Sequence, residues 1–306
     1  MASVSDPASD PGLTPSSGPL DESEVLVIDR PETQTLPVVF ASPHSGNRYP
    51  ESFIRASRLD PAALRKSEDS FVDEIYAAAP RFGAPLIKAL FPRAYMDPNR
   101  EPFELDPEMF DDELPSYVNA NSPRVAAGLG TIARVVANGE NIYRNKLSFT
   151  EAADRINALY RPYHGALQDL IETTRRRFGW CLLIDCHSMP SIGGPMDLDS
   201  GKTRVDFVLG DCFGISCAPA ITDHFEAALA RDGHAVTRND PYSGGYTTVH
   251  YGRPDAGVHA LQIEINRALY MNEIHYTRLP GLETLRRHME ALMATLPALC
   301  DRLKPR

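Results

Sequence analysis

Two short apolar runs, each breaking into a histidine–serine pair, constrain this chain more than any other feature. They are Pro37-Val-Val-Phe-Ala-Ser-Pro-His44-Ser45-Gly46 and Cys181-Leu-Leu-Ile-Asp-Cys-His187-Ser188-Met189. Short aliphatic and β-branched runs with no helical period read as buried strands, of the kind used by a sheet covered on both faces. In an open α/β sheet, ligands gather at the carboxyl ends of the strands. Two imidazoles delivered to that edge from distant parts of the sequence make half of a metal site, histidine being the commonest metal ligand. A hydrogen-bonded imidazole at a loop edge explains either histidine alone better than it explains the matching pair.

The remaining pattern extends this into an α/β protein. Residues 1–24 are rich in Ser, Pro, Asp and Gly and read as a disordered leader. Residues 25–306 read as a single domain, since no linker interrupts them. Strands are expected at 37–41, 85–91, 181–186, 205–209, 235–238 and 260–265. Helices are expected at 60–66, 71–79, 150–178, 218–231 and 280–303, with Pro162 kinking the third. The Pro-, Asn- and Gly-rich stretch 106–146 reads as a loop or lid. Strands alternating with helices predict a mixed, mainly parallel central sheet flanked by helices on both faces.

Bulk properties narrow the function. A net charge of −10 opposes a nucleic-acid partner but not a small anionic ligand held by local arginines. No run approaches the roughly 18 apolar residues of a membrane helix. The amino terminus lacks the basic and apolar regions of a secretory signal, so a cytoplasmic protein is expected. Five cysteines without a CxxC pair argue against a disulfide framework.

Catalytic zinc takes three protein ligands from His, Asp or Glu and leaves one position open. The third ligand is sought in Ser67-Glu68-Asp69-Ser70-Phe71-Val72-Asp73, where either acid could equally serve as a helix cap. Asp69 is the choice, with Asp73 one turn later as a partner that orients a ligand. In Ala260-Leu-Gln-Ile-Glu264-Ile-Asn-Arg267, Gln262, Glu264 and Asn266 share one face of a strand. A buried carboxylate there suits a general base, the alternative being a structural pair with an arginine such as Arg267. Arg100 offers a planar fork for a carboxylate. His250 and Arg253, in the loop after Gly244-Gly245, have the chemistry to line a pocket.

Taken together, Ser-Pro-His44-Ser-Gly, Glu-Asp69-Ser-Phe-Val-Asp73, Met-Asp97-Pro-Asn99-Arg100, Asp185-Cys-His187-Ser-Met, Gly244-Gly-Tyr, His250-Tyr-Gly-Arg253-Pro and Leu-Gln-Ile-Glu264-Ile-Asn-Arg-Ala-Leu-Tyr-Met271 resemble the N-formylglutamate amidohydrolase family. The resemblance runs from about Val38 to Met271 in order. It implies kinship with zinc carboxypeptidases and aspartoacylases and a phosphorylase/hydrolase-like fold. It also implies that Asn99 and Arg100 bind a substrate carboxylate and that Glu264 activates water. Two departures stand out. Asn47 occupies the place of the carboxypeptidases' ligating glutamate, and Ser70-Phe71 replaces the Trp-His that deformylases of histidine degradation carry beside the aspartate.

The expectation is a metallohydrolase with one Zn²⁺ per chain held by His44, Asp69 and His187. Glu264 is its base, and Asn99, Arg100, Arg253 and His250 bind substrate. The expected reaction is hydrolysis of a small anionic N-acyl amino acid, N-formyl-L-glutamate to formate and L-glutamate. The alternatives are another metallo-deacylase or peptidase, and a non-catalytic protein that binds an anionic metabolite.

Overall fold

The apolar runs assemble into one seven-stranded sheet. The computed structural model describes residues 14–16, 25–195 and 197–304, and its strands are β1 (Thr14–Ser16), β2 (Leu26–Asp29), β3 (Val38–Ser42), β4 (Arg48–Pro50), β5 (Leu86–Ala89), β6 (Cys181–Met189), β7 (Phe207–Gly210), β8 (Val236–Arg238), β9 (Val258–Asn266), β10 (Met271–Asn272) and β11 (Thr277–Arg278). The sheet order is β2-β5-β3-β6-β9-β7-β8. The β3–β5, β3–β6, β6–β9 and β7–β8 pairs are parallel, and β7 runs antiparallel to β9. The sheet is therefore mixed and mainly parallel. The nine-residue β6–β9 ladder is its spine.

Strand alternation gives the two faces of that spine different chemistry. Leu182, Ile184 and Cys186 of β6 and Leu261, Ile263 and Ile265 of β9 join one apolar core. They pack with Val72 and Ile75 of helix Val72–Ile75, Ile221 and Phe225 of helix Pro219–Arg231, and Leu285 and Met289 of helix Gly281–Met293. Full burial of each such aliphatic side chain contributes about 1.5–3 kcal/mol. The other face carries Asp185, His187, Gln262 and Glu264, all buried. Helix Tyr246–Tyr251 lies on that side, where Gly245 N–H donates to Gln262. Helices thus flank both faces.

The chain divides into two compact units. One comprises Ile28–Pro43, Asp69–Lys88 and His164–Arg306 and contains the sheet apart from the ends of β2 and β5. The other comprises residues up to Val27, His44–Glu68 and Ala89–Tyr163. In this unit Phe53 packs against Tyr95 and Tyr143 at 5.0 and 5.8 Å between ring centroids, and the Arg155 guanidinium lies 4.1 Å over Tyr95. The 106–146 stretch is mostly irregular, as expected, with single turns at Pro107–Met109 and Pro123–Ala126. It is pinned by the Arg134–Asp106 ion pair at 2.7 Å.

Several boundaries differ from expectation for identifiable reasons. Strand 181–186 extends to Met189, so His187 lies within the ladder and not beyond it. The kink expected at Pro162 emerges as a π-helical segment, Ile156–Tyr160, ahead of helix Arg161–Phe178; proline has no N–H for the carbonyl four residues back. The expected helix 71–79 is one turn, Val72–Ile75, followed by a 3₁₀ turn over Ala79–Phe82 with Pro80 as its second residue. The terminal helix is two, Gly281–Met293 and Leu296–Leu303, with Pro297 in the first turn of the second. Of the expected leader only β1 is described, pairing in parallel with β4; its other residues lie outside the described residues. Among the described residues no helix is long and apolar enough to cross a membrane.

Candidate active site

The sheet-bearing unit concentrates its buried charge at the carboxyl ends of β6 and β9. His187 and Glu264 are register partners there, as are Asp185 and Gln262 two residues earlier. His187 has a carboxylate at each ring nitrogen: Asp69 Oδ2 at 3.0 Å from Nδ1 and Asp185 Oδ1 at 3.0 Å from Nε2. Burial alone would lower this imidazole, but Asp185 and Asp69 outweigh it and hold the group well above the ordinary histidine range. Asp69 Oδ1 accepts from Arg267 Nη2 at 3.0 Å, and Arg267 Nε donates to Ser188 Oγ at 3.2 Å. Burial works against the Arg267 charge, and Asp69 more than restores it. Arg267 therefore serves Asp69, while Glu264 Oε1 accepts from Gln262 Nε2 at 2.9 Å.

The segment that delivers Asp69 is not a capped helix. Helix Val72–Ile75 starts after Phe71, whose φ of 68° is left-handed, and no side chain caps it. A left-handed phenylalanine is uncommon and costs on the order of 1–3 kcal/mol, and such strain clusters at functional sites. The capping explanation for the acid thus falls away at Asp69. Asp73 lies half-buried within that turn, where burial pushes its carboxyl up against the opposing charge of Lys88.

In the other unit the corresponding centre is Asp97. Its Oδ1 lies 2.7 Å from His44 Nε2 and accepts the Asn99 backbone N–H at 2.8 Å, while Oδ2 accepts from Arg93 at 2.8 Å. Burial opposes the charged form of Asp97, but Arg100, Arg93 and His44 hold its carboxyl well below the usual range. A carboxylate bonded to one ring nitrogen fixes the tautomer and rotation of a histidine and raises the basicity of the other nitrogen. Arg100 Nε donates to Leu129 O and Nη1 to Asn99 O, both at 2.7 Å, so its plane is fixed. Burial lowers Arg100 to about 10 against the pull of Asp97. Glu68, the other acid weighed as a ligand, accepts from Tyr49 Oη at 2.6 Å and Arg65 Nε at 3.1 Å.

Two of the five chain crossings between the units adjoin these residues, at Pro43–His44 and at Glu68–Asp69. His44 follows Ala41 by three residues, Ala41 is the register partner of Asp185, and His187 follows Asp185 by two. Two imidazoles and a carboxylate are the donor types that catalytic zinc takes. His250 and Arg253 are not brought to Glu264. Both are exposed, and Arg253 pairs by its backbone with Val258 at the opposite end of β9, about 20 Å along the strand from Glu264. They line a separate cavity with Gln168, Glu172 and Arg175. Asp97 and Asp185 were given no role from the sequence, and Gln262 was placed on the Glu264 face without one. The same spacing of two along a strand could have indicated Asp185, whereas nothing local ties Asp97 to His44, 53 residues away.

Comparison with known proteins identifies the family. The family model for N-formylglutamate amidohydrolase matches residues 36–271. The N-formylglutamate deformylase of Pseudomonas putida is 30% identical over 241 residues, covering 78% of this chain and 83% of that protein. Its counterpart in Pseudomonas aeruginosa is 29% identical over 242 residues, with the same coverage. The structure of an N-formylglutamate amidohydrolase from Ralstonia eutropha JMP134 superposes with a TM-score of 0.83 at 37% identity, covering 91% of this chain and 99% of that one. Matched over most of its length, the chain belongs to the N-formylglutamate amidohydrolase family.

Proposed function

We propose that this protein hydrolyses N-formyl-L-glutamate to formate and L-glutamate, with residues 25–306 acting as one amidohydrolase domain. The observation that carries the reading is the β6–β9 register, which sets the carboxylate of Glu264 beside the His187–Asp69 pair on one buried sheet face. The names of the relatives supply the substrate.

His44, Asp69 and His187 would hold one metal ion, and their donor set fits zinc. When bound, zinc supplies polarisation of the acyl carbonyl and acidification of water. Asp97 and Asp185 orient the two imidazoles, and Arg267 holds the second oxygen of Asp69. Glu264 takes a proton from the attacking water as its oxygen adds to the formyl carbon. As the C–N bond breaks, Glu264 returns that proton to the leaving nitrogen, giving the amine of glutamate and formic acid, which ionises to formate. Arg100 and Asn99 bind a substrate carboxylate. The charges of Arg124 and Arg93 oppose that of Arg100, which supports a local anion site on a chain of net charge −10. All five cysteines are free thiols, in keeping with a reducing, cytoplasmic setting.

The test is formate release from N-formyl-L-glutamate by the purified protein, after chelation and after zinc is restored. Chelation should abolish activity and zinc should restore it. Replacing the base, Glu264→Gln, should lower kcat by roughly 10²–10⁴-fold. Full activity in both His187→Ala and Glu264→Gln would sink the mechanism.

A further inference from the structure

The base is tied to the glycine turn by a single side chain. Gln262 is buried two residues before Glu264 on the same face of β9. Its Oε1 lies 2.6 Å from Gly245 N, and its Nε2 lies 2.9 Å from Glu264 Oε1. A backbone N–H can only donate, so the oxygen of this amide must face Gly245 and its nitrogen must face the carboxylate. The orientation of the amide is thus dictated by its partners. The Thr248 hydroxyl makes a longer contact of 3.5 Å to the same oxygen.

The turn that fixes Gln262 is itself held in place. Gly245 precedes helix Tyr246–Tyr251, which packs on β9 and β6. Gly244 has φ of 137°, and a Cβ there would stand 2.7 Å from Cys212 Sγ and 3.2 Å from Thr248. Only glycine fits that close approach, so the backbone beside the Gly245 donor is set by packing on two sides.

We propose that Gln262 is a positioning residue for the base: it holds the Glu264 carboxylate in the orientation that meets the attacking water, and it takes its own orientation from the Gly244–Gly245 turn. A glutamate carboxylate otherwise rotates broadly about its last torsion, and one well-placed donor removes that freedom. The proposal rests on Glu264 being the base.

A residue that merely anchored the turn would behave differently on substitution. Gln262→Glu keeps an oxygen for Gly245 N–H but removes the donor to Glu264, whereas Gln262→Met removes both contacts at nearly constant volume. The experiment measures kcat and KM for formate release from N-formyl-L-glutamate, with zinc content and Tm, for the unmodified protein, both variants and Glu264→Gln. The expected result is a fall in kcat of roughly ten- to a hundredfold in Gln262→Met, with KM within about threefold and zinc retained. Gln262→Glu should fall at least as far. Near-normal kcat in Gln262→Glu, or in Gln262→Met, overturns the positioning role. If Gln262→Met does not fold, Gln262→Glu decides alone. Loss in Glu264→Gln without loss at Gln262 defeats this inference and leaves the base intact. Full activity in Glu264→Gln defeats the base as well, and absence of turnover by the unmodified protein defeats both.

Discussion

Glu68 and Asp69 are adjacent acids of equal charge, and their surroundings give them different work. Glu68 is bonded to Tyr49 and Arg65, so its carboxylate serves the packing of its own segment. Asp69 is shared between His187 and Arg267. The two therefore separate on substitution. Glu68→Gln should retain zinc while lowering stability by about 1–3 kcal/mol, because Arg65 and Tyr49 lose a charged acceptor. Asp69→Asn should lose zinc affinity and lower stability as well, because the buried Arg267 loses its charged acceptor. Zinc titration beside urea denaturation reads both, and the opposite pattern would exchange their roles. The sequence favoured Asp69 without excluding Glu68, since both acids satisfied the same rule for capping and for ligation. The partner that distinguishes Asp69, Arg267, lies 198 residues away.

At the scale of elements, the sequence was more informative. The apolar runs that become β3, β6 and β9 were visible because strands buried on both sides need little polar alternation. His187 and Glu264 could be placed near strand ends for the same reason. What could not be seen was the extension of β6 through His187 to Met189, since polar residues inside a ladder read as its end. The short helices were equally opaque: Pro80 and Pro297 mark breaks, but tertiary packing decides whether a helix stops or kinks. The core face of the spine should be costly to thin. Ile184 is fully buried opposite Leu261, and Ile184→Ala should destabilise by about 2–5 kcal/mol in urea denaturation, with no direct effect on zinc binding. A loss below about 1 kcal/mol would show that the site collapses around the deletion.

The whole molecule is acidic, and its stability should depend on buried carboxylates that remain charged. Asp211 is one far from the proposed zinc ligands in sequence. It accepts from Gly214 N, Asn239 Nδ2 and Thr222 Oγ1 at 2.8–2.9 Å, joining the ends of β7 and β8 to helix Pro219–Arg231. Burial would raise its carboxyl, but the Asn239 and Thr222 bonds prevail and hold it below the usual range. A depressed pKa contributes stability above the unfolded value of about 3.9 and loses it as pH falls through the folded value. The stability gap between the protein and Asp211→Asn should thus be open at pH 6 and shrink below about pH 4. Urea midpoints at several pH values check this, and a gap that does not change with pH would contradict it.

Because His187 and Glu264 belong to one nine-residue ladder, the proposed reacting groups inherit the geometry of the sheet, whereas the mostly irregular 106–146 stretch belongs to connecting loops. Inheritance can act on these parts separately. Loop residues are free to drift, lengthen or exchange side chains among descendants of this gene while the ladder is copied unchanged. Changes in the loops can then accumulate by small steps while the ladder keeps its register.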